Sequence, residues 1–176
     1  MKTQSKKNDL LKLSLAEANN WLSYGLKKKE EKEVNNLLIG GNEDHLIESF
    51  HKKLEFGTGG MRGLIGIGSN RINSYTISLA TQGLCNYLKK TCKNARSAVI
   101  AYDSRRFSKE FGNQTAKIFS ANNIKTYIFS DLRPTPELSF AVTNITVSEL
   151  IIDPDEGTCV IIKLVSQLSL KIIESK

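Results

Sequence analysis

The run Ala98-Val99-Ile100-Ala101-Tyr102 restricts the possible folds more than any other stretch of the chain. It has no polar break, so it cannot turn one face to water and the other to a core. A strand of this kind is covered on both faces, as in a parallel sheet flanked by helices. Two further short runs fit the same sheet: Leu64-Ile65-Gly66-Ile67 before it and Thr126-Tyr127-Ile128-Phe129 after it. Helical spacing fills the gaps. Ile77, Ala80, Leu84 and Leu88 line one face of a helix that Ser74 would cap and Lys90 would end. Phe111, Ile118 and Phe119 do the same for a helix from Ser108 to Asn122. Pro136 suits the first position of another, with Thr135 as its cap and Leu138, Ala141 and Val142 as its apolar stripe. Alternating strands and helices imply right-handed crossovers and parallel pairing. The expected fold class is α/β: a mostly parallel sheet with helices on both faces, preceded by N-terminal helices.

Those N-terminal helices show in residues 1–53. Leu11, Leu15, Ala18 and Leu22 recur at helical spacing across residues 9–24, with Trp21 packing under the same element. Gly25 would end it. The mixed Lys27-Lys28-Lys29-Glu30-Glu31-Lys32-Glu33 run reads as an exposed turn and helix. After the Gly40-Gly41 break, Asn42 would cap a helix striped by Leu46, Ile47, Phe50 and Leu54. His45 and His51 are six apart and point to different faces, so they read as helix-side residues. Gly83 inside the long helix either costs about 1 kcal/mol against alanine or marks close packing.

Charge and cysteine content exclude several functions. Net charge is +7, but much of the lysine lies in residues 2–12 and in the mixed-sign run, and aromatics (7%) do not interleave with it. Nucleic-acid binding is not expected. No window has the length of a membrane helix, and no apolar core follows the basic N-terminus, so a cytoplasmic protein without a membrane partner is expected. Cys85, Cys92 and Cys159 form no CxxC pair and have no histidine near them in sequence. A disulfide framework or zinc site is not expected, and Cys85 and Cys92 read as buried or half-buried thiols.

Half of the 12 glycines fall between Gly57 and Gly68. In Leu54-Glu55-Phe56-Gly57-Thr58-Gly59-Gly60-Met61-Arg62-Gly63 they surround a threonine and an arginine. Glycine permits close backbone approach, and Arg62 carries a fixed guanidinium suited to phosphate. The stretch is either an anion-facing loop or a glycine-rich turn. In parallel sheets ligands bind beyond the carboxyl ends of the strands. Asp103-Ser104-Arg105-Arg106 and Asp131-Leu132-Arg133-Pro134-Thr135 both lie at such ends. For Arg105 and Arg106, bracing of the sheet edge competes with ligand binding. For Arg133, loop bracing is the preferred reading. Neither GxGxxG nor a Walker lysine is present.

Four pieces, in order, resemble the first domain of the α-D-phosphohexomutases, the phosphoglucomutase/phosphomannomutase family. They are the 54–63 stretch, against the family's FGTxGxRG; Asn70-Arg71-Ile72-Asn73 with Ala80-Thr81-Gln82-Gly83-Leu84; Ala101-Tyr102-Asp103-Ser104-Arg105; and Arg133-Pro134-Thr135-Pro136-Glu137-Leu138-Ser139-Phe140-Ala141-Val142. The helices around Trp21 are similar to the long bacterial form. On this resemblance residues 1–53 are a helical extension, residues 54–143 an incomplete first domain and residues 144–176 a divergent tail. It implies an isomerase of carbohydrate metabolism, an intramolecular phosphotransferase that moves phosphate between C1 and C6 of a hexose phosphate. The family uses a phosphoserine and magnesium. Arg62 would be the catalytic, phosphate-stabilising residue; Gly57, Thr58, Gly59, Asp103 and Arg105 would bind substrate.

The tail departs from the family. There, the helix after Pro-Thr-Pro leads to a strand and then to Thr-Ala-Ser-His-Asn-Pro, whose serine carries the phosphate. Here Ile145-Thr146-Val147-Ser148 comes too early, no His-Asn-Pro follows, and an ungapped count puts the serine near Asp155 or Glu156. Residues 149–155 with Val160-Ile161-Ile162-Lys163 resemble the strand, metal loop and strand of the family's second domain, which reads DPDADR. Asp153 and Asp155 would match two of its magnesium ligands, but Gly157 and Thr158 replace the third aspartate and the arginine. The metal loop is incomplete and no metal site is assigned. An internal deletion that joins the first domain to this fragment competes with a frameshifted or unrelated tail, and for residues 153–157 an acidic turn between two strands is the preferred reading. The chain alone is therefore expected to be an inactive, truncated mutase fragment. The alternatives are a non-catalytic sugar-phosphate-binding module and an interaction fragment docking on a full-length mutase.

Overall fold

The computed structural model describes residues 2–57, 60–61, 63–91, 97–134, 136–138, 140–141 and 160–164. They fall into two compact units, residues 1–55 with 63–76, and residues 56–62 with 77–176.

The first unit is built on three helices: α1 (Lys2–Leu22), α2 (Lys28–Ile39) and α3 (Glu43–Phe50). Their apolar stripes meet at Ala18, Trp21, Val34, Leu46 and Phe50, all buried. Trp21 meets Phe50 edge to face at 5.6 Å, and its indole N–H donates to Glu17 at 3.2 Å. Burying rings of this size stabilises by about 1.5–3 kcal/mol each. Gly25, at φ +69°, ends α1's turn as expected. The start of α1 lies earlier than the apolar spacing indicated, at Lys2. Its first turns carry no apolar stripe and so leave no periodic signal. They are tied down by charge, Lys7 reaching Asp44 at 2.9 Å and Glu43 at 3.7 Å.

Asn42 caps α3, its side-chain oxygen accepting from the His45 N–H at 3.0 Å. Leu54, expected on this helix, lies beyond its end. Residues 69–70 collect the terminal carbonyls instead. Asn70 N donates to Ser49 O (2.9 Å), Asn70 Nδ2 to Glu48 O (2.8 Å) and Ser69 Oγ to Lys52 O (2.9 Å). Residues 64–67 do not form the expected strand. A single bridge joins Ile65 to Ile72, and the segment between closes into a loop. Gly68 sits in it at φ +123°, so close to Ser49 that a Cβ would meet the Ser49 carbonyl oxygen at 2.4 Å.

α4 (Ser74–Thr91) starts in the first unit and continues in the second. Its cap is Asn73, not Ser74, because the Asn73 side-chain Oδ1 accepts from both Tyr75 N and Thr76 N at 3.0 Å. Ile77, Leu84, Cys85 and Leu88 form its buried face. Gly83 is exposed, with nothing within 4 Å of a Cβ there, so it marks no close packing.

The second unit centres on β3 (Ser97–Tyr102), five of whose six residues are buried. It pairs in parallel with β4 (Lys125–Ile128) on one side and β5 (Val160–Leu164) on the other, giving the order β4-β3-β5. α5 (Ser108–Ala121) lies over one face, where a Cβ added at Gly112 would stand 3.5 Å from Tyr102 and 3.7 Å from Ile100. Leu138, in helical residues 136–138, packs on Val99 and Ala101 at the other face. Helices on both faces explain the unbroken apolar run. α4 is tied to α5 by Gln114 and Ser78 (2.6 Å) and by Gln82 and Asn122. β1 (Phe56–Gly57) and β2 (Gly60–Met61) form an antiparallel hairpin, Phe56 opposite Met61. The architecture is α/β with N-terminal helices.

Candidate functional site

The carboxyl edge of β3 places Asp103 directly after the buried Tyr102. The Asp103 N–H donates to Ser108 Oγ at 3.2 Å, which ties the loop to the start of α5. Asp103 Oδ1 accepts from the Arg105 N–H at 3.1 Å, and Oδ2 lies 3.6 Å from Arg105 Nε. The carboxylate therefore holds both the backbone and the guanidinium of Arg105. The Arg105 side chain is still 47% exposed. An ion pair this open contributes at most about 1 kcal/mol, so Arg105 can exchange Asp103 for a more highly charged anion at little cost.

Neighbouring cations come from the same edge. Arg106 stacks over the Phe107 ring at 4.7 Å, and Phe107 adopts a left-handed backbone (φ +64°) that turns the chain into α5. Lys109 lies 6.0 Å from the centre of the Tyr102 ring. The Tyr102 hydroxyl donates to Ser130 O at 2.6 Å, fixing the loop after β4 against β3. Arg133 braces that loop. Its N–H donates to Tyr102 O at 3.2 Å, and its Nε is 3.0 Å from Glu137.

Of the residues expected at the site, the structure brings Asp103 and Arg105 together. Gly57 lies in the β1–β2 hairpin, opposite Gly60, and no hydrogen bond joins it to Asp103 or Arg105 among the described residues. Thr58, Gly59 and Arg62 lie outside the described residues, as do Asp153, Asp155, Cys92 and Cys159. Among the described residues no group of three or more His, Cys, Asp and Glu is placed to hold a metal ion, and no helix is long and apolar enough to cross a membrane. Magnesium takes near-octahedral oxygen ligation. Asp153 and Asp155 alone do not supply that donor set, so no chemical step is assigned to a metal.

Sequence reading missed the work of Asn70, Arg71 and Asn73. Besides capping α4, Asn73 donates through Nδ2 to the carbonyls of Gly66 and Gly68 at 2.9 and 3.0 Å. Arg71 is 7% exposed and pairs with Glu48 at 3.1 Å. A cap-type residue beside Ser74 was the available signal for Asn73. Arg71 enters the sequence reading only within the Asn70–Asn73 piece of the resemblance, and nothing local marks its ion pair, whose partner lies on α3.

The sheet and its edge define an α/β domain with an arginine paired to an aspartate just beyond its central strand. Residues 53–153 match domain I, the alpha/beta/alpha domain, of phosphoglucomutase/phosphomannomutase, and the chain belongs to that family. It is 34% identical over 133 residues to a mouse (Mus musculus) phosphopentomutase, covering 71% of this chain and 22% of that protein. With the phosphoglucomutase of Staphylococcus haemolyticus it shares 36% identity over 129 residues, 73% of this chain and 23% of the relative. With that of Staphylococcus aureus strain USA300 it shares 41% over 101 residues, 57% and 18%. The chain thus spans only about a fifth of the length of these relatives. No solved structure matches it significantly.

Proposed function

We propose that residues 54–143 are the phosphate-facing part of a sugar-phosphate mutase domain, and that these 176 residues alone bind a hexose phosphate without isomerising it. The observation that carries the reading is Arg105, positioned by Asp103 at the carboxyl end of β3 and half open to solvent. In the proposed roles, Arg62 neutralises phosphoryl charge, and Gly57, Thr58 and Gly59 offer backbone N–H groups to the phosphate. Asp103 orients Arg105 toward the substrate. Transfer of a phosphoryl group is catalysed by positioning and charge neutralisation, but it still needs an acceptor. The sequence holds no Ser-His-Asn-Pro run. Magnesium, when bound by a family member, supplies charge neutralisation; here that role would fall to the arginines. A cytoplasmic setting and a place in carbohydrate metabolism belong to the same reading.

Two measurements test it. Glucose 1-phosphate, mannose 1-phosphate and a pentose 1-phosphate are each titrated into the chain and followed by 31P NMR. Saturable binding of at least one is expected, weakened about tenfold in Arg105→Ala, the size of a lost charge-assisted hydrogen bond. A coupled assay for the 6-phosphate (5-phosphate for the pentose) should then show no turnover above buffer. Turnover that disappears in Arg62→Ala would overturn the inactive reading. Absence of binding would instead favour the docking fragment, which should co-purify with a full-length mutase.

A further inference from the structure

The first unit holds a cavity of about 490 Å³ between one face of α2 and the loop at residues 65–67. Pockets for small molecules run from roughly 300 to 1,000 Å³, so its size is sufficient. Glu33, Asn36, Leu37 and Gly40 line it from α2, at spacings of three, one and three residues that put them on one side of a helix. The opposite wall is built rigidly. Gly66 N donates to Ile72 O at 3.1 Å, Ile72 N to Leu64 O at 2.8 Å, and Asn73 Nδ2 to Gly66 O at 2.9 Å.

The chemistry of the lining is two-sided. Leu37, Ile65 and Ile67 are apolar. Glu33, Asn36 and His45 present a carboxylate, an amide and an imidazole, none of them bonded through its side chain to another described residue. Arg71 also borders the cavity, but its charge is taken by Glu48 at 3.1 Å and its Nε reaches Ser49 Oγ at 3.5 Å. Among the described lining residues no arginine or lysine is left uncommitted, so that lining offers a phosphate little counter-charge. What converges is a set of mixed donors and acceptors facing an apolar wall. That pattern complements a molecule with hydroxyls on one side and C–H groups on the other.

We propose that this cavity binds a small neutral polyhydroxylated molecule, a free sugar or polyol rather than a sugar phosphate. Glu33 accepts from hydroxyls, Asn36 donates and accepts, and Leu37 with Ile67 covers the C–H face. The site lies wholly in the first unit and does not depend on the reading of the sheet edge.

The test is a 1H–15N NMR titration of the whole chain with methyl hexosides and inositol, and with inorganic phosphate and butylamine as contrasting probes. Saturable shifts confined to residues 33–45 and 65–71 are expected from at least one polyol, and none from phosphate. Asn36→Leu should weaken the affinity about tenfold, the worth of one or two hydrogen bonds. Leu37→Trp should abolish binding by filling the space, with an unchanged circular dichroism spectrum. The proposal is overturned if no polyol gives saturable shifts, if phosphate or butylamine binds there more tightly than every polyol, or if Asn36→Leu leaves the affinity unchanged.

Discussion

Asn73 uses both ends of one amide, its oxygen on the first N–H groups of α4 and its nitrogen on the carbonyls of Gly66 and Gly68. Asn73→Ala removes a helix cap and leaves those carbonyls short of a donor. We expect a loss of about 1–2 kcal/mol as a lower urea midpoint. Ser74 and Asn73 are both cap-type residues, so the sequence showed that a helix begins here. It did not show which side chain caps it, because that depends on the loop folding back through Ile72. Cys85 sets a second expectation. Burial pushes its thiol above the ordinary 9.0, with Lys89 partly opposing. The folded state then keeps a proton that the unfolded state releases. Its contribution is fully present below pH 9.0, the unfolded value, and is lost as pH rises through the higher folded value. Lys7 is raised by its hydrogen bond and charge contact with Asp44, so it acts in the same direction, above 10.5. Stability should therefore fall on the alkaline side of pH 9, and Cys85→Ala should flatten the first part of that fall. Thermal melts from pH 7 to 11 on both proteins measure it, and identical slopes would sink the assignment to Cys85.

Elements were legible where burial is one-sided or complete and illegible where distant groups decide the end. α4, α5 and β3 follow their apolar patterns closely. α3 stops at Phe50 although Leu54 continues the stripe, because Asn70 and Ser69 capture carbonyls of residues 48, 49 and 52. Nothing near Leu54 in sequence records that. The expected strand at 64–67 fails for a related reason. Gly66 and Gly68 let the chain curl back onto Ile72, and only Ile65 keeps a bridge. The candidate site divides in the same way. Asp103 and Arg105 were readable because they follow a strand that was itself readable. Gly83 gives the prediction at this scale. It is exposed on α4 with open space where a Cβ would stand and no positive φ. Gly83→Ala should raise stability by about 0.5–1 kcal/mol through the smaller backbone entropy of alanine. A denaturant midpoint that stays still or drops would show a contact at Gly83 that the geometry lacks.

In the whole molecule, β3 is held from both sides, and its second partner comes from the far end of the chain. The resemblance to the family's second domain marks residues 160–163 as a strand, but pairing between strands so distant in sequence leaves no local trace. The register places Ala98 beside Val160 and Tyr102 beside Leu164. The carboxyl end of β5 therefore lies level with the end of β3, where Asp103 and Arg105 begin. An edge left open on β3 would expose a row of backbone donors and acceptors beside buried apolar residues, a template for association between chains. β5 thus covers the second edge of β3 and ends level with the start of the loop that carries Arg105. Ile162→Pro tests this pairing. Proline removes one N–H and fixes φ, so it perturbs the ladder in which Ile162 stands opposite Ile100. Amide exchange in residues 98–102 should speed up by on the order of tenfold, with aggregation rising as the edge opens. Ile162→Val keeps the N–H and the strand preference and should leave both unchanged. If phosphate-ester binding also weakens in the proline variant but not in the valine one, the loop at Asp103 depends on this strand. Unchanged exchange in β3 would mean that residues 160–164 contribute nothing to the sheet in solution.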